Sequence, residues 1–198
     1  MPTCVRPLVF LASWAGLISF GLGELQVHQL TPGEPGKPPR DWPSASGLTR
    51  DPGRPTLVIV AHPQCPCTVA TLGELARILA EVDGKLTVHV LFLKPSGSGA
   101  DWSDARTVRA AKALQGVQAT EDEAGTRARM FGATTSGQAL YYDVQGRLRF
   151  SGGITESRGH AGDNPGHSAM VDLVRTGYAL RDSTPVFGCS LLQPGYSQ

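Results

Sequence analysis

Thr56-Leu-Val-Ile-Val-Ala-His-Pro-Gln-Cys-Pro-Cys-Thr68 decides how this chain folds. The β-branched run from Leu57 to Val60 reads as a buried strand. It ends at His62-Pro63, because proline has no N–H for a ladder and restricts the residue before it. Two thiols follow at i and i+2, Cys65 and Cys67, with Pro66 between them. Apolar residues then recur at Val69, Leu72, Leu75, Ile78, Leu79 and Val82, the stripe of an amphipathic helix. Strand, cysteine turn and helix in succession put both sulfurs where a helix begins. There the unpaired amides and the positive end of the helix dipole favour thiolate over thiol. The turn is a place for sulfur chemistry.

Upstream, residues 24–53 carry Pro32, Pro35, Pro38, Pro39, Pro43 and Pro52 among glycines, serines and charges. Such a segment buries little and is expected to be an extended, semi-stiff tether. Before it, Pro7 to Gly23 is an uncharged run of 17 residues, at the short end of the ~17–25 a membrane span needs. Arg6 and the amino terminus put residues 1–6 in the cytoplasm and everything after Glu24 outside. A cleaved signal peptide is the rival, with Gly21 and Gly23 as its small-x-small site. The weakness of that site and the Trp14-containing run favour an uncleaved anchor. Either way the domain is exported to where disulfides persist.

Downstream, Leu86 to Leu93 is a second strong strand, closed by Lys94-Pro95. The spacing predicts helices over Asp101–Gln115 and Glu121–Phe131, the latter acidic first and basic last, with a short strand at Gly116–Ala119 between them. Gln138–Tyr142 and Arg147–Ser151 form a hairpin about Asp143–Gly146. Asn164-Pro165 supplies the cap and first-turn proline of a last helix, running to about Leu180.

The 198 residues leave room for one domain plus appendages. Charge is nearly balanced, 18 basic against 17 acidic, which gives no reason to expect a nucleic-acid partner. Four cysteines are too few for a disulfide scaffold. A close pair with two distant singles, Cys4 and Cys189, looks like a site instead.

The βαβ units, hairpin and closing helix imply an α/β domain, a mixed sheet flanked by helices. With its cysteine turn after the first strand, the chain resembles the thioredoxin superfamily. In His62-Pro-Gln-Cys-Pro-Cys-Thr68, Phe131-Gly-Ala-Thr-Thr-Ser-Gly-Gln138 and Tyr142-Asp-Val-Gln-Gly146 it is similar to membrane-anchored bacterial RedB-type proteins. The resemblance covers residues 56 to about 180. It implies a thioredoxin-like domain over 54–182, followed by an irregular tail, 183–198. It also implies a single-pass protein of the cell inner membrane whose periplasmic domain is a thiol-disulfide oxidoreductase or electron carrier, needing no cofactor. The partner would be a thiol- or disulfide-bearing protein or a small oxidant. Two departures stand out. Gln64 holds the place of the usual first cysteine, so the attacking thiol becomes Cys65 in a Cys-x-Cys pair. Gly137 falls where a cis-proline usually faces the cysteines, so the partner-binding edge is expected to differ.

In the redox reading Cys65 attacks a disulfide and Cys67 closes the ring, in a strained and easily reduced bond. His62 stands near the thiols to favour the thiolate or move a proton, or else is a strand-end histidine bonded to backbone. Cys189, in Thr184-Pro-Val-Phe-Gly-Cys-Ser190, either folds back to resolve a mixed disulfide at Cys65, gives a third sulfur to a metal, or is a free or intermolecular thiol. Cys4 faces the reducing side of the membrane and takes no part. His160 and His167 read as solvated loop residues and His89 as a strand-face residue. The alternative function is a copper(I) carrier or assembly protein of the same fold. Its donors would be Cys65 and Cys67 with His62, Cys189 or His160, since thiolates suit that soft cation.

Overall fold

The computed structural model describes residues 5–191 apart from 98, 100, 101 and 103. Cys4, residues 192–198 of the tail and the start of the helix expected from Asp101 lie outside the described residues. The chain divides into two compact units between Thr31 and Pro32.

The first unit is helix α1, Val5–Leu30. It runs past Glu24, where the sequence reading closed the apolar run, because Leu25, Val27 and Leu30 continue the pattern and glutamate is a good helix former. Pro32 then bars a further turn. The stretch Val9–Leu30, 22 residues with mean hydropathy 1.2, is long and apolar enough to cross a membrane.

The second unit contains β1 (Thr56–Ala61), α2 (Pro66–Val82), β2 (Thr87–Lys94), α3 (Arg106–Ala113) and β3 (Val117–Glu123). These are followed by α4 (Thr126–Met130), β4 (Gln138–Tyr142), β5 (Leu148–Gly152) and α5 (Pro165–Thr176). The strands form one sheet in the order β3-β2-β1-β4-β5. β1, β2 and β3 are parallel, while β4 runs antiparallel to β1 and β5 antiparallel to β4. This is the mixed, thioredoxin-like sheet that the cysteine turn implied.

β1 lies at the centre and all six of its residues are buried, which is why it reads as a continuous apolar run rather than an alternation. Period-two geometry still sorts them. Leu57, Ile59 and Ala61 join Val88, Val90 and Phe92 beneath α2, α3 and α5. Val58 and Val60 join Leu91, Leu93, Leu140 and Tyr142 on the other face.

Among the described residues, the one α-helix on that second face is α4, five residues long, with Leu191 of the tail beside it. The segment expected to be a free tether supplies the remainder. Trp42 meets the rings of Phe131 and Tyr142 edge-on at 5.1 and 5.2 Å. Tyr142 donates to the carbonyl of Pro39, and the amide of Leu148 to that of Arg40. Compact structure therefore begins at Pro32, ahead of the boundary at 54 that composition suggested. Proline and glycine argue against a long helix or strand here, and the segment holds a single 3-10 turn, Ser44–Ser46, yet with Trp42 and Leu48 it still covers a sheet.

Two further elements differ from expectation. The acids Glu121, Asp122 and Glu123 end strand β3, paired with Phe92, Leu93 and Lys94, instead of opening a helix. The buried Asp122 carboxylate accepts the amides of Arg127 and Ala128, and so caps a shorter α4 from the strand side. α5 stops at Thr176, not near Leu180, because Gly177 takes the left-handed conformation that ends helices.

The described part of the tail, residues 183–191, has no helix or strand of its own but is held along its length. The amide of Ser151 donates to the carbonyl of Asp182, that of Gly153 to Pro185, and that of Gly33 to Val186. Val186 and Leu191 are buried, Leu191 within the second-face cluster.

Candidate functional site

β1 delivers His62 to the edge of the sheet, and Pro63 and Gln64 turn the chain into α2. Cys65 is the N-cap of α2, and Pro66 opens the helix, where its missing N–H costs nothing. The turn is tied at both ends. The His62 carbonyl accepts the amide of Cys65 at 3.1 Å and the hydroxyl of Thr68 at 2.9 Å. The His62 amide donates to Ser136 Oγ at 2.9 Å, which fastens the turn to the loop before β4.

That loop, Thr134–Gly137, faces the cysteines. Gly137 adopts φ +89°, a conformation open to glycine and costly for other residues, and its amide donates to Val60 at 2.7 Å. The tail docks on the opposite side of the same loop. The amide of Ser136 donates to the Cys189 carbonyl and that of Leu191 to the Thr134 carbonyl, each at 2.8 Å. Gly188 lies so close that a Cβ there would stand 1.8 Å from the Ser136 carbonyl oxygen. Arg158 completes the clamp by donating to the Gly188 carbonyl at 2.6 Å.

The result is a cluster of three thiols. Cys65 Sγ and Cys189 Sγ stand 2.9 Å apart, against ~2.05 Å for a disulfide bond. Cys65 and Cys67 are buried and Cys189 is half-buried. The Cys67 thiol donates to the Cys65 sulfur and is the main reason its pKa falls, to about 4. The Cys189 thiol and the amides of Cys189 and Cys67 add to the effect, against burial. The cost falls on the donors. Cys67 is pushed up by its bond to Cys65 and by burial. Cys189 is pushed up to about 11, by burial first and by Cys65 second, with Arg158 acting against the rise. One negative charge is thus shared among three sulfurs and resides on Cys65.

His62 is buried, and burial lowers its pKa although the Cys65 charge opposes this. Its Nδ1 accepts the amide of Gln64 at 3.2 Å, and its ring meets Trp102 edge-on at 5.0 Å. The imidazole is therefore neutral at neutral pH.

The other histidines divide. His160 is exposed, its Nδ1 2.8 Å from the Arg158 carbonyl. His89 is buried, with Nε2 2.9 Å from the Thr49 carbonyl. His167, expected in solvent, is buried on α5 with Nδ1 2.8 Å from Glu74 and Nε2 2.9 Å from Glu81. Among the described residues no group of three or more His, Cys, Asp or Glu side chains is placed to hold a metal ion.

Arg158, Ser136 and Gly188 complete the surroundings of the thiols, and sequence reasoning passed over all three. Local pattern carries no trace of them, because they act through contacts between distant segments. The Cys65–Cys189 approach itself spans 124 positions.

No family model matches the chain, and no curated protein matches it. Among solved structures, a hypothetical protein of Sinorhizobium meliloti 1021 superposes with a TM-score of 0.59 at 22% identity, over 82% of this chain and 96% of that one. An uncharacterized conserved protein of Geobacillus kaustophilus gives 0.59 at 16%, over 83% and 94%. A secreted Mycobacterium tuberculosis disulfide oxidoreductase gives 0.39 at 14%, over 48% and 66%. For the first two, at these identities, the likeness is one of fold alone.

Proposed function

We propose that the chain is a membrane-anchored, extracytoplasmic thiol-disulfide oxidoreductase or electron carrier of the RedB type, with Cys65 as its nucleophile. One observation carries this reading: the sulfurs of Cys65 and Cys189 stand 2.9 Å apart, where hydrogen bonding to Cys67 and Cys189 holds the Cys65 thiol well below its ordinary pKa. A thiolate beside two thiols has what dithiol–disulfide exchange requires, a nucleophile and an adjacent sulfur to release the product. His62, neutral beside Cys65, is the base at hand when a proton must move. The exposed apolar side chains of α1, Phe10, Leu17 and Phe20 among them, support the anchor. The domain then stands on the periplasmic side of the inner membrane, facing a thiol- or disulfide-bearing partner.

The test is a thiol count. Full-length protein equilibrated with oxidised and reduced glutathione should lose two free thiols per chain in one two-electron transition. Cys65→Ser protein should show no such transition. An unchanged wild-type count across the whole range refutes the reading.

A second reading, a copper(I) carrier, has the convergence of three soft sulfurs in its favour. Against it stands the 2.9 Å Cys65–Cys189 separation. An ion with sulfur bonds of about 2.3 Å, as for zinc, would hold its ligands further apart than that, so the cluster would have to open. Stoichiometric copper(I) binding by reduced protein, lost in Cys67→Ser, would favour the carrier.

A further inference from the structure

The three sulfurs differ in access and in how they are held. Cys65 and Cys67 are 2% and 8% exposed, whereas Cys189 is half-buried. The backbone about Cys189 is fixed at Gly188, Cys189 and Leu191, by Arg158, Ser136 and Thr134 respectively. Gly188 has no room for a side chain against Ser136. The tail anchors thus hold the Cys189 backbone at a place from which its Sγ stands 2.9 Å from that of Cys65. Cys67 is placed otherwise. It follows Cys65, the N-cap, by two residues across the first turn of α2, and its S–H donates to the Cys65 sulfur. A ring between them would strain the turn.

Resting on the thiol-exchange reading, we propose that the bond made and broken in turnover joins Cys65 to Cys189, and that a partner dithiol enters at the Cys189 sulfur. In the oxidised protein a partner thiolate attacks Cys189 Sγ, the sulfur within reach of solvent. A bond forms between the partner and Cys189, the Cys65–Cys189 bond breaks, and Cys65 leaves as thiolate. The partner's second thiol, once deprotonated, attacks its own sulfur in that mixed disulfide and releases Cys189, which ends as a thiol. Two electrons have passed to the protein, the partner dithiol has become a disulfide, and one net proton has gone to solvent. In the reverse direction Cys189, once deprotonated, opens a second partner's disulfide, and the Cys65 thiolate then attacks Cys189 Sγ, which closes the bridge and releases the partner as a dithiol. Cys67 is never bonded here; it is a positioning residue whose S–H stabilises the departing Cys65 thiolate. An already ionised Cys65 makes it the better leaving group of the two, which reinforces attack at Cys189.

The experiment is a peptide map of full-length protein in detergent. Trypsin leaves Cys65 and Cys67 on one peptide ending at Arg77 and Cys189 on another beginning at Asp182. Wild type and Cys67→Ser, oxidised with a slight excess of oxidised glutathione, should each yield these two peptides joined by a disulfide. Cys189→Ser should yield neither the joined pair nor a competent exchanger. A brief pulse of reduced glutathione on the oxidised wild type, quenched with iodoacetamide, should leave glutathione on Cys189 and the alkyl group on Cys65. A Cys65–Cys67 loop in oxidised wild type would overturn the proposal while leaving thiol exchange standing. Glutathione on Cys65 after the pulse would overturn the point of entry. Wild type that forms no internal bridge at all would overturn the exchange reading itself.

Discussion

Helix α2 carries two buried charges, and they are handled in opposite ways. In the middle of the helix, Glu74 is wholly buried, and each of its oxygens has strong donors. Arg77 Nη1 lies 3.0 and 3.3 Å from them, the Gly162 amide donates at 2.6 Å, and His167 Nδ1 is 2.8 Å away. At the start of the helix the Cys65 thiolate is met by two other thiols and by backbone amides. The first charge is answered by groups that can only hold it, so it ties α2 to α5 and to the loop before α5. The second is answered by groups that can bond to it, so it can be passed on. A buried charge becomes architecture or chemistry according to what surrounds it.

The sharpest way to break this contrast is to substitute one residue in each cluster. Cys65→Ser should abolish two-electron exchange while leaving a protein that still folds cooperatively, as followed by thiol titration and urea denaturation. Large destabilisation with residual exchange would mean that the sulfur, too, is architectural. Glu74→Ala should do the reverse and remove about 3–5 kcal/mol of stability, since it strips one partner from a buried ion-pair network. In the fraction still folded, the reduction potential should match wild type. A urea midpoint that hardly moves would show that the Glu74 cluster is not what holds α2 to α5.

A smaller effect comes from Gly188→Val. Its side chain meets the Ser136 carbonyl, so the tail must shift at a cost of about 1–3 kcal/mol. The Cys65–Cys189 bridge should then form more slowly in stopped oxidation assays. Bridge formation as fast as in wild type would mean that the tail has slack.

The smallest effect sharpens the contrast through pH. Between the pKa of Cys65, about 4, and that of Cys189, about 11, reduction of the bridge takes up one proton for two electrons. The potential should fall as pH rises, by about 30 mV per unit. A slope twice as steep near neutrality would mean that Cys65 is protonated there. The same low pKa fixes the sign for stability. A thiol with a folded pKa below its unfolded value of ~8.5 stabilises the reduced protein fully above that value. The contribution is lost as pH falls toward 4. Reduced wild type should therefore lose stability relative to Cys65→Ser over that range, and denaturation curves at several pH values would measure it.

Much of the framework was legible because its central strands, β1 and β2, are buried on both faces and the helix after β1 begins at an unmistakable turn. Leu57–Val60 and Leu86–Leu93 could hardly be anything else. What escaped notice depends on contact between distant segments. Trp42 sits in a proline-rich stretch whose composition argues for disorder, and only the bareness of the second sheet face explains its place. The acids of β3 mimic a helix start, because Asp122 does cap a helix, but from the strand before it. His167 looks like a loop histidine until the buried Glu74 is found across from it. At the site, Cys65 was readable from its own turn. The position of Cys189 was open, because reach along the chain does not say where a tail will dock.

The order in which the thiol cluster comes together follows from where its pieces lie along the chain. The carbonyl of Glu34 accepts the hydroxyls of Thr134 and Thr135, and the amide of Gly33 holds Val186. The socket for Cys189 is thus walled by one of the first parts of the domain to be synthesised and one of the last. In a chain made from its amino terminus, Cys65 and Cys67 are present long before Cys189 arrives. In that interval the paired cysteines of α2 have only each other, or foreign thiols, to bond with. Long-range closure of this kind comes late in folding, so a fresh molecule that meets an oxidant too early would be trapped with the wrong bridge. Its maturation would then depend on a reductant or an isomerase in the compartment where it works.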